Sequence, residues 1–216
     1  MSSSVIAPAI LAENAEQYKE QVNKITGLVE RVHIDISDGE FAPTLTVGIP
    51  ELWAPEGWMI DIHAMVNDVS EYVPKLIALR PHMIIVHAEA TGDVKTALMQ
   101  IRQAGIMAGL ALLKPTVPRT VEELIKIADH VMIFSGELGR FGGTASLMQL
   151  EKIRLIKAIN PNVEIGWDGG VAVDNAYSLV QGGVNVLNVG GVIQKSSDPR
   201  TIFSRLQQEI NKTSVL

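Results

Sequence analysis

His33-Ile34-Asp35-Ile36-Ser37-Asp38-Gly39 reads as the end of a buried strand running into a tight turn. On a strand His33 and Asp35 point to the same face, because side chains alternate. A histidine and a carboxylate together on an inner face are costly to bury unless something pairs with them. A metal ion, a substrate, or both would be that partner. The isoleucines between them give the opposite face to apolar packing, so the strand is expected to be covered on both sides, as in a parallel sheet.

The chain repeats this pattern outward in both directions. Apolar runs occur at Val5–Leu11, Val29–Ile36, Met59–Met65, Met83–His87, Met107–Leu113, His130–Phe134, Val163–Trp167 and Val184–Val189. All are short and rich in Val, Ile, Leu or Met, as buried strands are. Helical spacing fills the gaps. Asn14 is placed to cap a helix through Thr26, and further helices are predicted over Val69–Leu79, Val94–Ala104, Val121–Ala128, Ser146–Ile159, Val173–Gln181 and Pro199–Asn211. Gly105 and Gly182 sit where helix C-terminal caps are wanted. The Pro43–Pro55 region is irregular, with at most a short helix around Ile49–Trp53. Strand and helix alternating from end to end predict an α/β fold, a (β/α)8 TIM barrel, with a doubly wound open sheet as the runner-up. No linker or low-complexity tract divides the chain, so residues 1–216 are expected to form a single domain.

Composition narrows the function. Hydrophobic residues make up 47% of the 216 residues and charged residues 19%, enough for a sizeable core. The net charge of −6 and the lack of a basic run argue against nucleic acid as a partner. The absence of cysteine excludes disulfides, thiolate zinc sites and thiol catalysis. Met1-Ser2-Ser3-Ser4 has no basic n-region or long apolar run, and no stretch reaches the roughly 20 apolar residues of a membrane span. A cytoplasmic protein with no membrane partner is the expectation.

In a barrel of this kind, function lies at the C-terminal ends of the strands. The second strand ends in His33 and Asp35, the third carries Asp61 and His63, the fourth ends in His87, the fifth in Lys114, and the seventh in Asp168-Gly169-Gly170. His33, Asp35, His63 and Asp168 at one rim suit one divalent ion such as Zn²⁺, Mn²⁺, Fe²⁺ or Co²⁺. Any one of them alone would read as a hydrogen-bonded core or rim residue. Asp61 reads as a supporting group that orients His63 or a neighbouring strand. His82 and His130 fall at strand starts, on the stability face. Phe141-Gly142-Gly143, Gly169-Gly170 and Gly190-Gly191 follow the sixth, seventh and eighth strands. They would bring bare backbone N–H groups, with a short helix starting near Val192, to one corner of the mouth, where a monophosphate could be gripped. A single glycine pair is weak evidence, since turns need glycine anyway.

These residues resemble the ribulose-phosphate 3-epimerase family from Ile6 to about Ile193. The resemblance is carried by Ala7-Pro8-Ala9-Ile10-Leu11, the His33–Gly39 stretch, Phe41-Ala42-Pro43, Asp61-Ile62-His63-Ala64-Met65-Val66, Val86-His87-Ala88-Glu89-Ala90, Phe141-Gly142-Gly143 and Asp168-Gly169-Gly170-Val171. It implies a phosphosugar-binding (β/α)8 barrel that assembles as a homo-oligomer, a dimer or a hexamer. The implied activity is metal-dependent 3-epimerisation of a ketose phosphate, interconverting D-ribulose 5-phosphate and D-xylulose 5-phosphate. It also implies that His33, Asp35, His63 and Asp168 are metal ligands, that Asp35 and Asp168 are the acid/base pair, and that Gly142, Gly143, Gly169, Gly170 and Gly190 lie in phosphate-binding loops. The chemistry is consistent with opposed bases: removing a proton beside a carbonyl and returning one from the other face needs a group on each side.

Several pocket positions depart from the family pattern. Ala9 stands in place of a serine, Ser37 and Ser135 in place of methionines, and Gly191 in place of a serine. Met65 is the surviving apolar cap, Arg140 takes a glycine position beside the phosphate or points to solvent, and Lys114 replaces an asparagine. Ala9, Ser37, Met65 and Ser135 are therefore the expected substrate-pocket positions, and Arg140, Phe141 and Gly191 join the phosphate set. The departures leave open another ketose phosphate such as a hexulose 6-phosphate. They also leave open a Schiff-base enzyme built on Lys114 and a non-catalytic phosphosugar-binding homologue.

Overall fold

A computed structural model describes residues 4–212; Met1, Ser2 and Ser3 at the start of the chain, and residues 213–216, lie outside the described part. Eight parallel strands close into a barrel in chain order: β1 (Val5–Ile10), β2 (Arg31–Ser37), β3 (Met59–Met65), β4 (Met83–His87), β5 (Met107–Leu112), β6 (His130–Phe134), β7 (Glu164–Asp168) and β8 (Val186–Val189). The closed ring settles the choice between barrel and open sheet. The helices are α1 (Ala15–Ile25), α2 (Val69–Ala78), α3 (Val94–Gln103), α4 (Glu122–Ile127), α5 (Glu151–Ile159), α6 (Ala176–Gln181), α7 (Gly191–Gln194) and α8 (Pro199–Ile210). No described helix is long and apolar enough to cross a membrane.

The strand alternation decides what lies inside. Ile34, Ile36, Ile62, Ala64, Ile84 and Val86 belong to the large core shared with the helices. Met83, Ile85, Ala111, Met132 and Phe134 form a separate, smaller cluster. His33, Asp35, Asp61, His63 and His87, which alternate with the first set, are all buried polar groups. Both faces of the strands are therefore covered, as the apolar runs predict.

Local chemistry explains where the helices depart from the sequence reading. Asn14 caps α1 by accepting the Gln17 N–H at 3.0 Å. After β2 the irregular stretch carries one 3-10 turn at Ile49–Glu51, within the short helix allowed around Ile49–Trp53. The loop fills the missing helix's place: the Tyr18 hydroxyl donates to the Trp53 carbonyl, and Trp58 packs on the core. The helix predicted from Val173 starts only at Ala176, because Asn175 is occupied with the turn before it. Its Oδ1 accepts the Ala172 N–H and its Nδ2 donates to the Gly170 carbonyl. The helix predicted from Ser146 opens with a 3-10 turn over Leu147–Leu150, and the one predicted from Val121 likewise follows a 3-10 turn, Pro118–Val121. Gly105 takes a positive φ of 76° just past α3, and Gly182 caps α6 as expected, with the positive φ falling on Gly183 after it.

An ionic network closes the N-terminal end of the barrel. Arg31 at the start of β2 donates from Nε to Asp61 Oδ2 at 2.6 Å, and from both terminal nitrogens to Glu164 on β7 at 3.0 and 2.8 Å. His82 pairs with Asp61 at 2.7 Å and His130 with Glu164 at 2.7 Å. The His130 ring needs Gly166 opposite it, since a Cβ there would lie 2.3 Å from Nε2. Asp61 thus orients a neighbouring strand and not His63, because it sits one layer too low. His82 and His130 lie on the stability face, as expected.

This network makes two predictions. Arg31→Met should lower unfolding free energy by about 3–5 kcal/mol, because it leaves the buried Asp61 and the half-buried Glu164 without their guanidinium; urea titration reads this, and a loss below about 1 kcal/mol would show the network to be idle. Burial alone would raise the Glu164 pKa, but His130 and Arg31 outweigh it and hold the carboxyl well below its ordinary 4.5. Its contribution is therefore complete above about pH 4.5 and lost as pH falls through the folded value. Glu164→Gln should flatten the acid limb of the stability–pH curve; an unchanged limb contradicts the assignment.

Candidate active site

At the opposite end, registry brings the polar strand ends together. Asp35 lies beside His63 across β2 and β3, and Asp168 beside Phe134 and Asn188 on β6 and β8. His33 is one pleat below Asp35 on the same face of β2. The His63 Nδ1 lies 2.8 Å from Asp35 Oδ1 and 3.7 Å from Asp168 Oδ2. His33 Nε2 lies 3.3 Å from Asp35 Oδ1 and 3.8 Å from Asp168 Oδ2. One donor atom from each of His33, Asp35, His63 and Asp168 lies within 4.8 Å of the others, a spacing at which the four could hold a metal ion. Both His33 nitrogens are fully buried without a hydrogen-bond partner among the described residues. An orphaned imidazole facing two carboxylates is what a cation site requires, and two nitrogens with two oxygens suit a borderline transition metal.

The electrostatics of the group are asymmetric. Burial opposes ionisation of Asp35, but His33 and His63 outweigh it and hold this carboxyl low. Asp168 moves the other way: burial raises it and the charge of Asp35 raises it further. For His33, burial favours the neutral ring, while Asp35 and Asp168 override it and raise the pKa. Two like charges in one buried site do not ionise independently, which is why the pair splits.

Above this cluster is a cavity of about 290 Å³. Asp35 and Asp168 reach its floor, and Met65 and Ala9 are part of its wall. Arg140, Phe141, Gly142, Gly143, Gly169, Gly170, Gly190 and Gly191 all line it as well. Some of these glycines are demanded by packing alone: a Cβ on Gly169 would meet the Gly136 nitrogen at 2.0 Å, and one on Gly170 the Ala145 nitrogen at 2.1 Å. The loops after β6 and β7 therefore touch backbone to backbone. Ser37 and Ser135, expected in the substrate pocket, are buried outside the cavity lining. The Ser37 hydroxyl accepts the Gly39 N–H at 3.4 Å within a turn, and the Ser135 hydroxyl accepts the Ser146 N–H at 2.7 Å across the loop that follows β6. Lys114 is exposed and borders a second cavity of about 400 Å³, away from the carboxylates.

Three features went unassigned in the sequence. His87 lies behind His63, Nε2 to Nε2 at 2.8 Å, and faces Glu89 at 3.3 Å. The signal was present, since His87-Ala88-Glu89 repeats the His-x-acid spacing of the second strand. Asn188 interrupts the last apolar run and lines the cavity; its Nδ2 contacts Met132 Sδ at 3.2 Å and its buried Oδ1 has no partner among the described residues. Lys195 brings a second cation to the glycine-rich corner beside Arg140.

The comparisons with known proteins agree with this geometry. The model of the "Ribulose-phosphate 3 epimerase family" matches residues 5–194. The ribulose-phosphate 3-epimerase of Aquifex aeolicus (strain VF5) is 30% identical over 202 residues, covering 90% of this chain and 91% of the relative. That of Helicobacter pylori (strain 26695) is 30% identical over 210 residues, 94% of this chain and 96% of the relative. Among solved structures, 3-hexulose-6-phosphate synthase from Salmonella typhimurium superposes with a TM-score of 0.73 over 95% of this chain and 97% of its own. At 16% identity that likeness speaks for the fold alone. Barrel, strand-end cluster and relatives converge: the chain belongs to the ribulose-phosphate 3-epimerase family and is an isomerase, an epimerase acting on carbohydrates.

Proposed function

We propose that the protein interconverts D-ribulose 5-phosphate and D-xylulose 5-phosphate by proton transfer at carbon 3, with Asp35 and Asp168 as opposed acid and base. The observation that carries this reading is the convergence of the two carboxylates, from strands three steps apart around the ring, on the floor of one cavity. Epimerisation needs a base on one face of the carbon and an acid on the other. Asp35 reaches the cavity from β2 and is placed to remove a proton. Asp168 reaches the same cavity from β7 and is placed to return one, and the roles exchange in the reverse direction.

His33, Asp35, His63 and Asp168 would hold one divalent ion (Zn²⁺, Mn²⁺, Fe²⁺ or Co²⁺), which when bound supplies positive charge where the substrate's oxygens gain negative charge. Met65 and Ala9 limit water beside the reacting carbon. Arg140, Phe141, Gly142, Gly143, Gly169, Gly170, Gly190 and Gly191 would hold the phosphate, mainly through backbone N–H groups, so that a remote group fixes the orientation of carbon 3. Under the same reading the 216-residue chain works as one domain of a cytoplasmic homo-oligomer.

A second substrate, a hexulose 6-phosphate, is favoured by the adjoining cavity, which shares Phe134, Gly136, Glu137 and Arg140 with the first and gives a longer sugar room. Proton NMR in deuterium oxide distinguishes the possibilities. Ribulose 5-phosphate is expected to exchange its carbon-3 proton and yield xylulose 5-phosphate, and a chelator should abolish both. Faster exchange with a hexulose 6-phosphate would transfer the assignment to that substrate. Asp35→Asn and Asp168→Asn should each lower the rate by roughly 10²–10⁴-fold; full activity in either variant would end the two-base scheme.

A further inference from the structure

His87 and Glu89 touch neither of the two carboxylates that face the cavity, yet they are built into the site with unusual completeness. The His87 ring is wholly buried at the end of β4. Phe41 lies against it at a centroid distance of 4.6 Å, and Phe134 meets it edge-on at 5.9 Å. Its Nε2 lies 2.8 Å from His63 Nε2, and its Nδ1 lies 3.3 Å from Glu89 Oε2. The other Glu89 oxygen, Oε1, accepts from the Leu113 N–H at 3.0 Å and from the Thr116 hydroxyl. Lys152 completes the group, donating to the carbonyls of Leu113 and Lys114 at 2.6 and 3.0 Å.

The direction of every hydrogen bond in this chain follows from its last member. An ionised carboxylate only accepts. Glu89 therefore requires the proton of His87 on Nδ1, which leaves Nε2 of a neutral His87 as an acceptor. The proton between the two rings then belongs to His63, on Nε2; Asp35 Oδ1, 2.8 Å from His63 Nδ1, competes for that proton, and the relay works against this pull. His63 Nδ1, the nitrogen that faces Asp35 and Asp168, is the one left to give a lone pair to a cation.

We propose that His87 and Glu89 are positioning residues that keep a proton on His63 Nε2 and thereby dedicate His63 Nδ1 to the bound ion. This rests on the metal reading under Proposed function and adds to it the groups that set the ligand's tautomer. The partner on the far nitrogen of a ligating histidine generally fixes both ring orientation and tautomer.

Glu89→Gln offers a nearly isosteric test. Leu113 N–H and Thr116 keep the amide oxygen as their acceptor, so the new NH₂ must face His87 Nδ1. His87 then carries its proton on Nε2 and donates to His63, whose own proton is driven onto Nδ1. Zinc binding, read by competition with a chelating dye, should weaken about 10–100-fold in Glu89→Gln and in His87→Phe. Nitrogen-15 NMR of the histidine rings in the zinc-loaded wild type should show the His63 proton on Nε2. Folded variants that bind zinc like the wild type would overturn the proposal, as would zinc on His63 Nε2. If a variant does not fold, the wild-type spectrum decides alone. If the wild type takes up no zinc, the metal reading fails. The relay is then judged in the metal-free protein, where it requires a proton on His63 Nε2 and is refuted by one on Nδ1 only.

Discussion

Two imidazoles and two carboxylates are buried at the mouth of this barrel, and the surrounding structure is arranged so that they can stay there. Isolated, such groups would be expensive to remove from water. Here His33 and Asp35 share one face of β2, His63 meets Asp35 by strand register, and β7 brings Asp168 from across the ring. Each carboxylate is within 4 Å of both rings, so charge is shared among the four, and His63 and Asp35 are also hydrogen-bonded. The arrangement could hold a cation, and it is enclosed enough to strengthen the effect of one.

The barrel carries a second buried charge cluster at its other end, and the two differ in kind. Arg31, Asp61, Glu164, His82 and His130 supply both signs and satisfy most of one another's bonds. That cluster leaves only His130 Nε2 among its buried nitrogens without a partner among the described residues, and it ties β2, β3, β6 and β7 together. The mouth cluster is not complete, since both His33 nitrogens lack a partner among the described residues. The two ends differ in charge: a guanidinium answers the carboxylates at one end, and only imidazoles face them at the other. The loops after β6, β7 and β8 add the remaining requirement, a cavity wall of glycine backbone that approaches more closely than side chains would allow.

Much of this is legible in the residues. The strands Met59–Met65, Met83–His87 and His130–Phe134 coincide with their apolar runs, because a strand buried on both faces has an unbroken apolar signal. The two-residue spacing of His33 and Asp35 is enough to announce the mouth cluster. What stays hidden depends on contacts between strands. Arg31 and Glu164 look like ordinary surface charges until β2 and β7 are seen to aim them at one point. Asp61 lies on the same strand face as His63, but one pleat lower, and registry gives it to Arg31 and His82 instead. The Ser37 hydroxyl is claimed by a local turn and that of Ser135 by Ser146 across a loop, which their positions at the strand ends do not announce. The role of His87 needs the orientation of its ring, which spacing cannot supply.

The central claim is that one divalent cation completes the mouth cluster. Anomalous diffraction from crystals of the zinc-loaded protein, measured at the zinc edge, tests it most directly. The account predicts one peak, about 2.0–2.2 Å from His33 Nε2, His63 Nδ1 and a carboxylate oxygen of each of Asp35 and Asp168. A map with no peak among these four side chains, or with zinc bound only elsewhere, would contradict it.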